Sequence, residues 1–259
     1  MSNRPITFLM YHELEIAGRS LCRSEQGYAR YVLPESTFRD EMNYLKKNAW
    51  QGLNVSEAIQ YPEGKTVAIT FDDGCETDLL AAAPILRENG LNATFFITCG
   101  WLGTRGFLSR SLVKELSALG FEIGSHSMTH PYLTDCDDAM LRHEIVDSKA
   151  ELEQIIGRPV EHFSCPGGRC DARVAAVGRD AGYRTVATSR THANSWKTDG
   201  FALGRVAILR DTSLAQFGAI CDGSALPSMR LQNAIRNGAK QILGNSLYDR
   251  MRSRLLRRN

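Results

Sequence analysis

Two short stretches of this 259-residue chain hold side chains that could do chemistry together. One is Thr70-Phe71-Asp72-Asp73-Gly74; the other is His126-Ser127-Met128-Thr129-His130. Two histidines four apart can converge on one metal ion, and a carboxylate can complete a set of three protein ligands. Three protein ligands with a fourth position for water is the plan of catalytic zinc sites. Each stretch also has a plain structural use. Asp-Asp-Gly after a strand is a common turn, and two histidines four apart are common on surfaces. Their pairing, each behind an apolar run, is what marks a metal site. Calcium is excluded, because the alternating carboxylates of a calcium loop are missing.

The elements that must carry these residues can be read from periodicity. Thr66 to Phe71 is apolar and β-branched enough for a buried strand that stops at Asp72. Successive strand side chains point to opposite faces, so two neighbouring aspartates belong at the strand end, where Gly74 permits a tight turn at positive φ. Ile6 to Tyr11 reads as a first strand ending at His12, followed by a polar loop with Gly18 and Gly27. Phe38, Met42 and Leu45 keep helical spacing, and a short helix is expected near Ser56 to Ile59. Further strands are expected at Asn92 to Thr98, Phe121 to Ser125, Glu161 to Cys165, Arg184 to Thr188 and Leu203 to Leu209. Helices are expected between them: Asp78 to Glu88 with Pro84 as a flaw, Ser109 to Leu119, a long one capped by Thr134 and Asp137, and Ala172 to Ala181. Alternating strands and helices imply an α/β fold with a parallel sheet. Every chemically interesting residue falls just past a strand end, where parallel α/β barrels keep their active sites.

At Thr70 to Gly74 and His126 to His130 the chain resembles the polysaccharide deacetylases with the NodB-homology domain, carbohydrate esterase family 4. The resemblance extends from about Ile6 to about Leu214. It implies a distorted (β/α)7-type barrel and a metal-dependent hydrolase that removes N-acetyl groups from an acetylated carbohydrate. It makes Asp72 the catalytic base, and Asp73, His126 and His130 the ligands of a divalent metal, zinc first, with cobalt, nickel or manganese as alternatives. Phe163 to Gly168 is similar to the family's third motif, which assigns the oxyanion-binding N–H to Gly167. O-acetyl ester or other amide hydrolysis at the same metal, and a non-catalytic carbohydrate-binding role, are the competing readings.

Three departures from the family pattern matter. The third motif usually begins with an arginine that orients the base, and here Ser164 and Cys165 stand there. The poly-N-acetylglucosamine deacetylase-like subgroup also lacks it, and its Asp-x-Phe-x-Leu-x-Arg segment is matched by Asp199 to Arg205, so Arg205 is the candidate partner of Asp72. Gly167 replaces a frequent tyrosine, which implies a more open subsite or a different sugar preference. The usual C-terminal histidine acid is absent, since no histidine follows Arg205. Met10-Tyr11-His12 resembles that motif moved to a permuted first strand, which makes His12 the expected acid and His192 the alternative.

Composition sets the rest. A hydrophobic fraction of 43% and a charged fraction of 23% are those of an ordinary globular chain, and a net charge of +2 argues against nucleic acid as a partner. Seven scattered cysteines without a Cys-x-x-Cys pair read as reduced thiols, Cys165 and Cys170 among them as small buried hydrophobes. With no signal-peptide pattern at Met1 to Tyr11, the expected location is cytoplasmic. The expected organisation is one catalytic domain over 1–215 and a basic helical tail over 216–259. There Leu247, Met251 and Leu255 oppose Arg250, Arg252, Arg254, Arg257 and Arg258, a pattern suited to peripheral contact with an anionic membrane face.

Overall fold

The computed structural model describes residues 4–25 and 27–243. The basic face and apolar positions expected beyond Leu243 lie outside the described residues. Eight strands form one parallel sheet: β1 (Thr7–Tyr11), β4 (Gln51–Leu53), β5 (Thr66–Phe71), β6 (Thr94–Ile97), β7 (Glu122–Ser125), β8 (His162–Ser164), β9 (Thr185–Ala187) and β10 (Val206–Ala207). Two short segments, β2 (Leu14–Glu15) and β3 (Leu33–Pro34), pair separately across the loop that follows β1. The expectations at these strands hold to within a few residues, but β2, β3 and β4 were not foreseen. At two or three residues, each is too short to show an alternating pattern.

The path through the sheet is β10-β1-β5-β6-β7-β8-β9, with β4 beside the first half of β5. The N-terminal strand therefore lies between the last strand and β5, with Leu9 opposite both Val206 and Ile69. The sheet curls back on itself. Leu203 bridges Ala187 of β9, donating its N–H to Val186 and accepting from Thr188, three residues before the same segment pairs with β1. The result is a distorted (β/α) barrel with a permuted first strand.

Helices wrap the outside: α1 (Glu35–Lys47), α2 (Val55–Ala58), α3 (Ala83–Glu88), α4 (Arg110–Ala118), α5 (Asp138–Arg142), α6 (Ser148–Ile156), α7 (Ala172–Asp180), α8 (Leu214–Cys221) and α9 (Leu226–Leu243). Pro84 has its local consequence. A π-helical turn, Asp78–Ala82, precedes it, so the helix widens where the missing N–H and the proline ring would break a regular α-helix. The long helix expected after residue 137 is α5 and α6 joined by another π-turn, His143–Asp147. Asp137 alone caps it, accepting from the Met140 N–H at 2.8 Å, whereas Thr134 lies in a separate 3-10 turn and bonds Asp135. The boundary set at 215 falls inside α8. That helix buries Phe217, Ile220 and Cys221, with the Phe217 ring edge-on to Tyr44 of α1, so it packs as part of the barrel's outer layer.

Strand alternation separates two apolar layers. Leu9, Tyr11, Val67, Ile69, Phe71, Phe95 and Phe163 face the helices, where most of the core lies. Ile6, Phe8, Ala68, Phe96, Ala187 and Leu203 form a small plug inside the barrel. Gly124 on β7 makes room for it, since a Cβ there would sit 2.4 Å from the Phe96 ring. Polar side chains occupy the barrel above this plug.

Candidate metal centre and its surroundings

β5 ends by turning sharply. Asp73 and Gly74 both adopt positive φ, 84° and 83°, so the strained position includes an aspartate as well as the glycine singled out from the sequence. Ser127 and His130 are also left-handed, at 69° and 66°. Each such non-glycine residue costs on the order of 1 kcal/mol, and strain of this kind gathers where geometry is dictated by function. The turns converge three donors. Asp73 Oδ1 lies 3.6 Å from His126 Nε2 and 3.4 Å from His130 Nε2. Nitrogen and oxygen donors on one tetrahedral ion, each about 2.0–2.1 Å from it, would stand roughly 3.3 Å apart. The spacing of these groups fits a metal ion.

Their electronic state fits as well. His126 Nδ1 lies 2.9 Å from the Ser164 carbonyl, which can only accept, so Nδ1 carries the proton and Nε2 presents its lone pair. Burial lowers His126 to about 4, against the opposing pull of Asp72, so the ring is neutral at physiological pH. Burial would raise the Asp73 carboxyl, but the His130 hydrogen bond and the nearby imidazoles outweigh it and hold it well below the usual carboxylate range.

The histidine turn is fastened from below. Glu144, fully buried, accepts from the N–H groups of Met128 (2.9 Å) and Thr129 (2.8 Å) and from the Thr129 hydroxyl (2.5 Å). Gly100 donates to the Met128 carbonyl at 2.7 Å, an approach that a Cβ, 2.8 Å from that oxygen, would prevent. The sequence reading missed Glu144, although a signal was present: it lies on the same helical face as Leu141, Ile145 and Leu152 and is polar.

Asp72 stands beside the donors, 3.9 Å from His126 Nε2, and is held by Arg205. This arginine is 1% exposed and uses all five N–H groups. Nη1 meets Asp72 Oδ1 at 2.7 Å and Thr70 Oγ1 at 3.2 Å; Nη2 meets Asp72 Oδ2 at 2.8 Å and Ser164 Oγ at 2.7 Å; Nε meets the Thr188 carbonyl at 3.2 Å. Burial alone would raise the Asp72 carboxyl, but the guanidinium and His126 hold it below its ordinary range. Ser164, at the start of the motif where an arginine is usual, completes the network by pointing its hydroxyl at Asp72, 3.3 Å away.

His12 follows β1 as Asp72 follows β5, and the Asp72 N–H bonds the Tyr11 carbonyl at 3.0 Å, so the two are lateral neighbours. The ring stacks obliquely on Tyr31. Its Nδ1 is buried with no hydrogen-bond partner among the described residues. Burial lowers its pKa, while Asp73 and Asp72 pull the other way. His192 instead packs against Gly204, with Arg230 and Arg190 as its charged neighbours. Gly167, at φ 62°, sits in the turn Pro166–Gly168 after β8. A Cβ at Gly167 would lie 2.5 Å from the Tyr132 ring, so a tyrosine two residues past His130 takes up that space. Arg169 lies over the same ring, 3.9 Å from its centroid.

Fold and site define a class. Residues 60–186 match the polysaccharide deacetylase family, and the chain carries a polysaccharide deacetylase domain of the NodB and carbohydrate esterase 4 type. The YxkH protein of Bacillus subtilis is 29% identical over 220 residues, covering 83% of this chain and 75% of that one. The peptidoglycan-N-acetylglucosamine deacetylase of Bacillus cereus is 37% identical over 123 residues, covering 47% of this chain and 55% of its own length. Among solved structures, the Streptococcus pyogenes deacetylase PplD in complex with acetate superposes with a TM-score of 0.75 at 22% identity, covering 84% of this chain and 98% of that one. Among the described residues no helix is long and apolar enough to cross a membrane.

Proposed function

We propose that this protein is a metal-dependent N-deacetylase of an N-acetylated amino sugar, free, polymeric or lipid-linked. One observation carries the reading: three donors at single-ion spacing, Asp73, His126 and His130, stand beside a carboxylate, Asp72, whose orientation and ionisation are set by Arg205. A bound divalent ion, zinc by its N,N,O donor set, supplies Lewis acidity toward the acetamide oxygen and acidifies water.

The chain's own groups do the rest. Asp72 accepts the proton of the attacking water; it stays ionised because Arg205 donates to both its oxygens. The Gly167 N–H is the donor assigned to the developing oxyanion. His12, partly buried beside the two aspartates, hands a proton to the departing sugar amine, which must leave protonated. Tyr132 and Arg169 supply an aromatic and a cationic surface at the rim, suited to a sugar ring and its anionic substituents.

Acetate release from N-acetylglucosamine oligomers and from nucleotide- and lipid-linked N-acetyl sugars, with and without chelator, tests the proposal. Release abolished by chelator and by Asp72→Asn is expected. Chelator-insensitive release, or release from none of these, overturns it.

A further inference from the structure

Beneath the Asp73 turn lies a second group of ligand-type side chains that the hydrolytic reading does not use. We propose that Glu13, Cys22 and Cys75 form a second, structural metal site that takes a thiophilic divalent cation such as zinc.

The donors come from three separated segments: Glu13 just after β1, Cys22 in the loop between β2 and β3, and Cys75 two residues past Asp73. Glu13 and Cys75 are buried and Cys22 is partly buried. One atom of each lies within 4.8 Å of the others. Cys22 Sγ is 2.9 Å from Cys75 Sγ, 3.1 Å from Glu13 Oε2 and 3.2 Å from the Tyr28 hydroxyl, which is itself 3.7 Å from Cys75 Sγ. Donors around a tetrahedral zinc, with sulfur at about 2.3 Å and oxygen at about 2.0 Å, stand roughly 3.5–3.8 Å apart. Binding therefore needs these atoms to spread by less than about 1 Å from the spacing of a hydrogen-bonded cluster. The Tyr28 hydroxyl stands beside both sulfurs as a fourth donor.

The pocket walls are built to stay in place. Glu76 donates to the Gly106 carbonyl at 2.8 Å, and Leu108 to that of Gly74 at 2.9 Å. Gly106 presses so closely on Cys22 that a Cβ would meet its Cα and Cβ at 2.8 Å.

A second observation points to a cation. Asp78, one turn beyond Cys75, is fully buried, and neither carboxyl oxygen has a partner among the described residues. Ligand-type side chains thus crowd one pocket, with an unpartnered buried carboxyl beside them. A divalent ion at Glu13, Cys22 and Cys75 fits this crowding. It displaces the two thiol protons to solvent and takes both sulfurs as thiolates with the Glu13 carboxylate, without any change of oxidation state. Two sulfurs among the donors select zinc-like ions over magnesium or calcium.

The consequence reaches the neighbouring centre. Arg23, next to Cys22, lies over the Tyr28 and Trp101 rings, 5.1 Å from each centroid, and 3.4 Å from Asp73 Oδ2. A cation at Cys22 and Cys75 would tie this loop, and with it Arg23, to the turn that carries Asp73.

The test is metal content and absorption of the full chain loaded with zinc or cobalt(II) and freed of excess. Two equivalents are expected, falling to one in Cys22→Ser. His130→Ala should also hold one. The cobalt protein should show thiolate-to-cobalt charge-transfer absorption in the near ultraviolet, retained in His130→Ala and lost in Cys22→Ser. The Asp73, His126 and His130 centre has no sulfur and cannot produce that band. One equivalent in wild type and in Cys22→Ser alike, absence of the band from the cobalt wild type, or a Cys22–Cys75 disulfide in the non-reduced peptide map would overturn the proposal. None of these readouts depends on deacetylation, so failure here is distinct from failure of the hydrolytic reading.

Discussion

Replacing Arg205 tests the centre most severely. Arg205→Met keeps much of the buried volume and deletes five donors. Asp72 would then keep only the Ser164 hydroxyl, 3.3 Å away, and the Thr188 carbonyl would lose its guanidinium contact. Removing one partner of a buried ion pair typically costs about 3–5 kcal/mol, because the other charge stays behind unpaired. The cost falls if Asp72 takes up a proton, and that response is the informative one. Burial already favours the neutral carboxyl, and Arg205 heads the effects that oppose it. Without the arginine the pKa of Asp72 rises. A base must be ionised to work, so activity is lost as pH falls through its pKa, and the acidic limb of the rate profile moves to higher pH. Arg205→Lys should fall between, since three donors on one nitrogen cannot serve both Asp72 oxygens, Ser164 and Thr188 together. Acetate release across pH gives the limb, and denaturant unfolding gives the stability. In a double-mutant cycle with Asp72→Asn, the losses should be sub-additive by roughly 2–3 kcal/mol, near the upper end for contacting groups. An unmoved acidic limb in both variants, or additive losses, would refute this account of the pair.

Glu144→Gln keeps the shape of the support beneath the histidine turn but removes its charge; metal affinity should drop roughly 10–100-fold in a chelator competition, with the fold retained. Glu41, 1% exposed with the Tyr11 hydroxyl donating to it at 2.8 Å, has its pKa raised by burial from 4.5 to about 8. Its folded pKa exceeds the unfolded one, so its full stability contribution is present below about pH 4.5 and is lost as pH rises toward 8, at most about 5 kcal/mol in all. Urea titrations at several pH values should show Glu41→Gln flattening that slope, and parallel slopes would exclude it. His12→Ala should slow turnover about 10²–10⁴-fold with metal content unchanged, and His192→Ala much less; equal effects would remove His12 as the acid. Gly167→Ala should destabilise by on the order of 1–3 kcal/mol through its Tyr132 contact and left-handed φ, and a thermal melt of Gly167→Ala combined with Tyr132→Ala should recover part of the loss.

Much of the site was legible because its residues are local in sequence. Asp72 and Asp73 adjoin a strand long enough to show as an apolar run, and His126 and His130 share one turn. Arg205 was named from a seven-residue resemblance, but its five-fold hydrogen bonding could not be read, because its partners Thr70 and Ser164 lie on β5 and β8 and Thr188 just past β9. Glu144 was hidden for a different reason: a helical apolar face was read from its hydrophobes, and the buried acid among them was passed over. Cys22 and Cys75 were scattered in sequence and are joined only by the loop that folds back over the barrel mouth. The short strands β2, β3 and β4 owe their conformation to their neighbours, so local pattern carries no trace of them.

The placing of the first strand has a consequence for how the protein is made. β1 precedes β10 by almost 200 residues yet has one edge destined for it, as Leu9 opposite Val206 shows. Until that segment emerges, the edge is unpaired, Asp72 lacks its guanidinium, and a buried carboxylate has no counter-charge. Closing so long a loop is slow, and an open edge meanwhile invites pairing with other nascent chains. A truncated chain would thus lack the barrel's last staves and the cation that keeps its base ionised. Closure of the barrel and pairing of the Asp72 carboxylate would coincide.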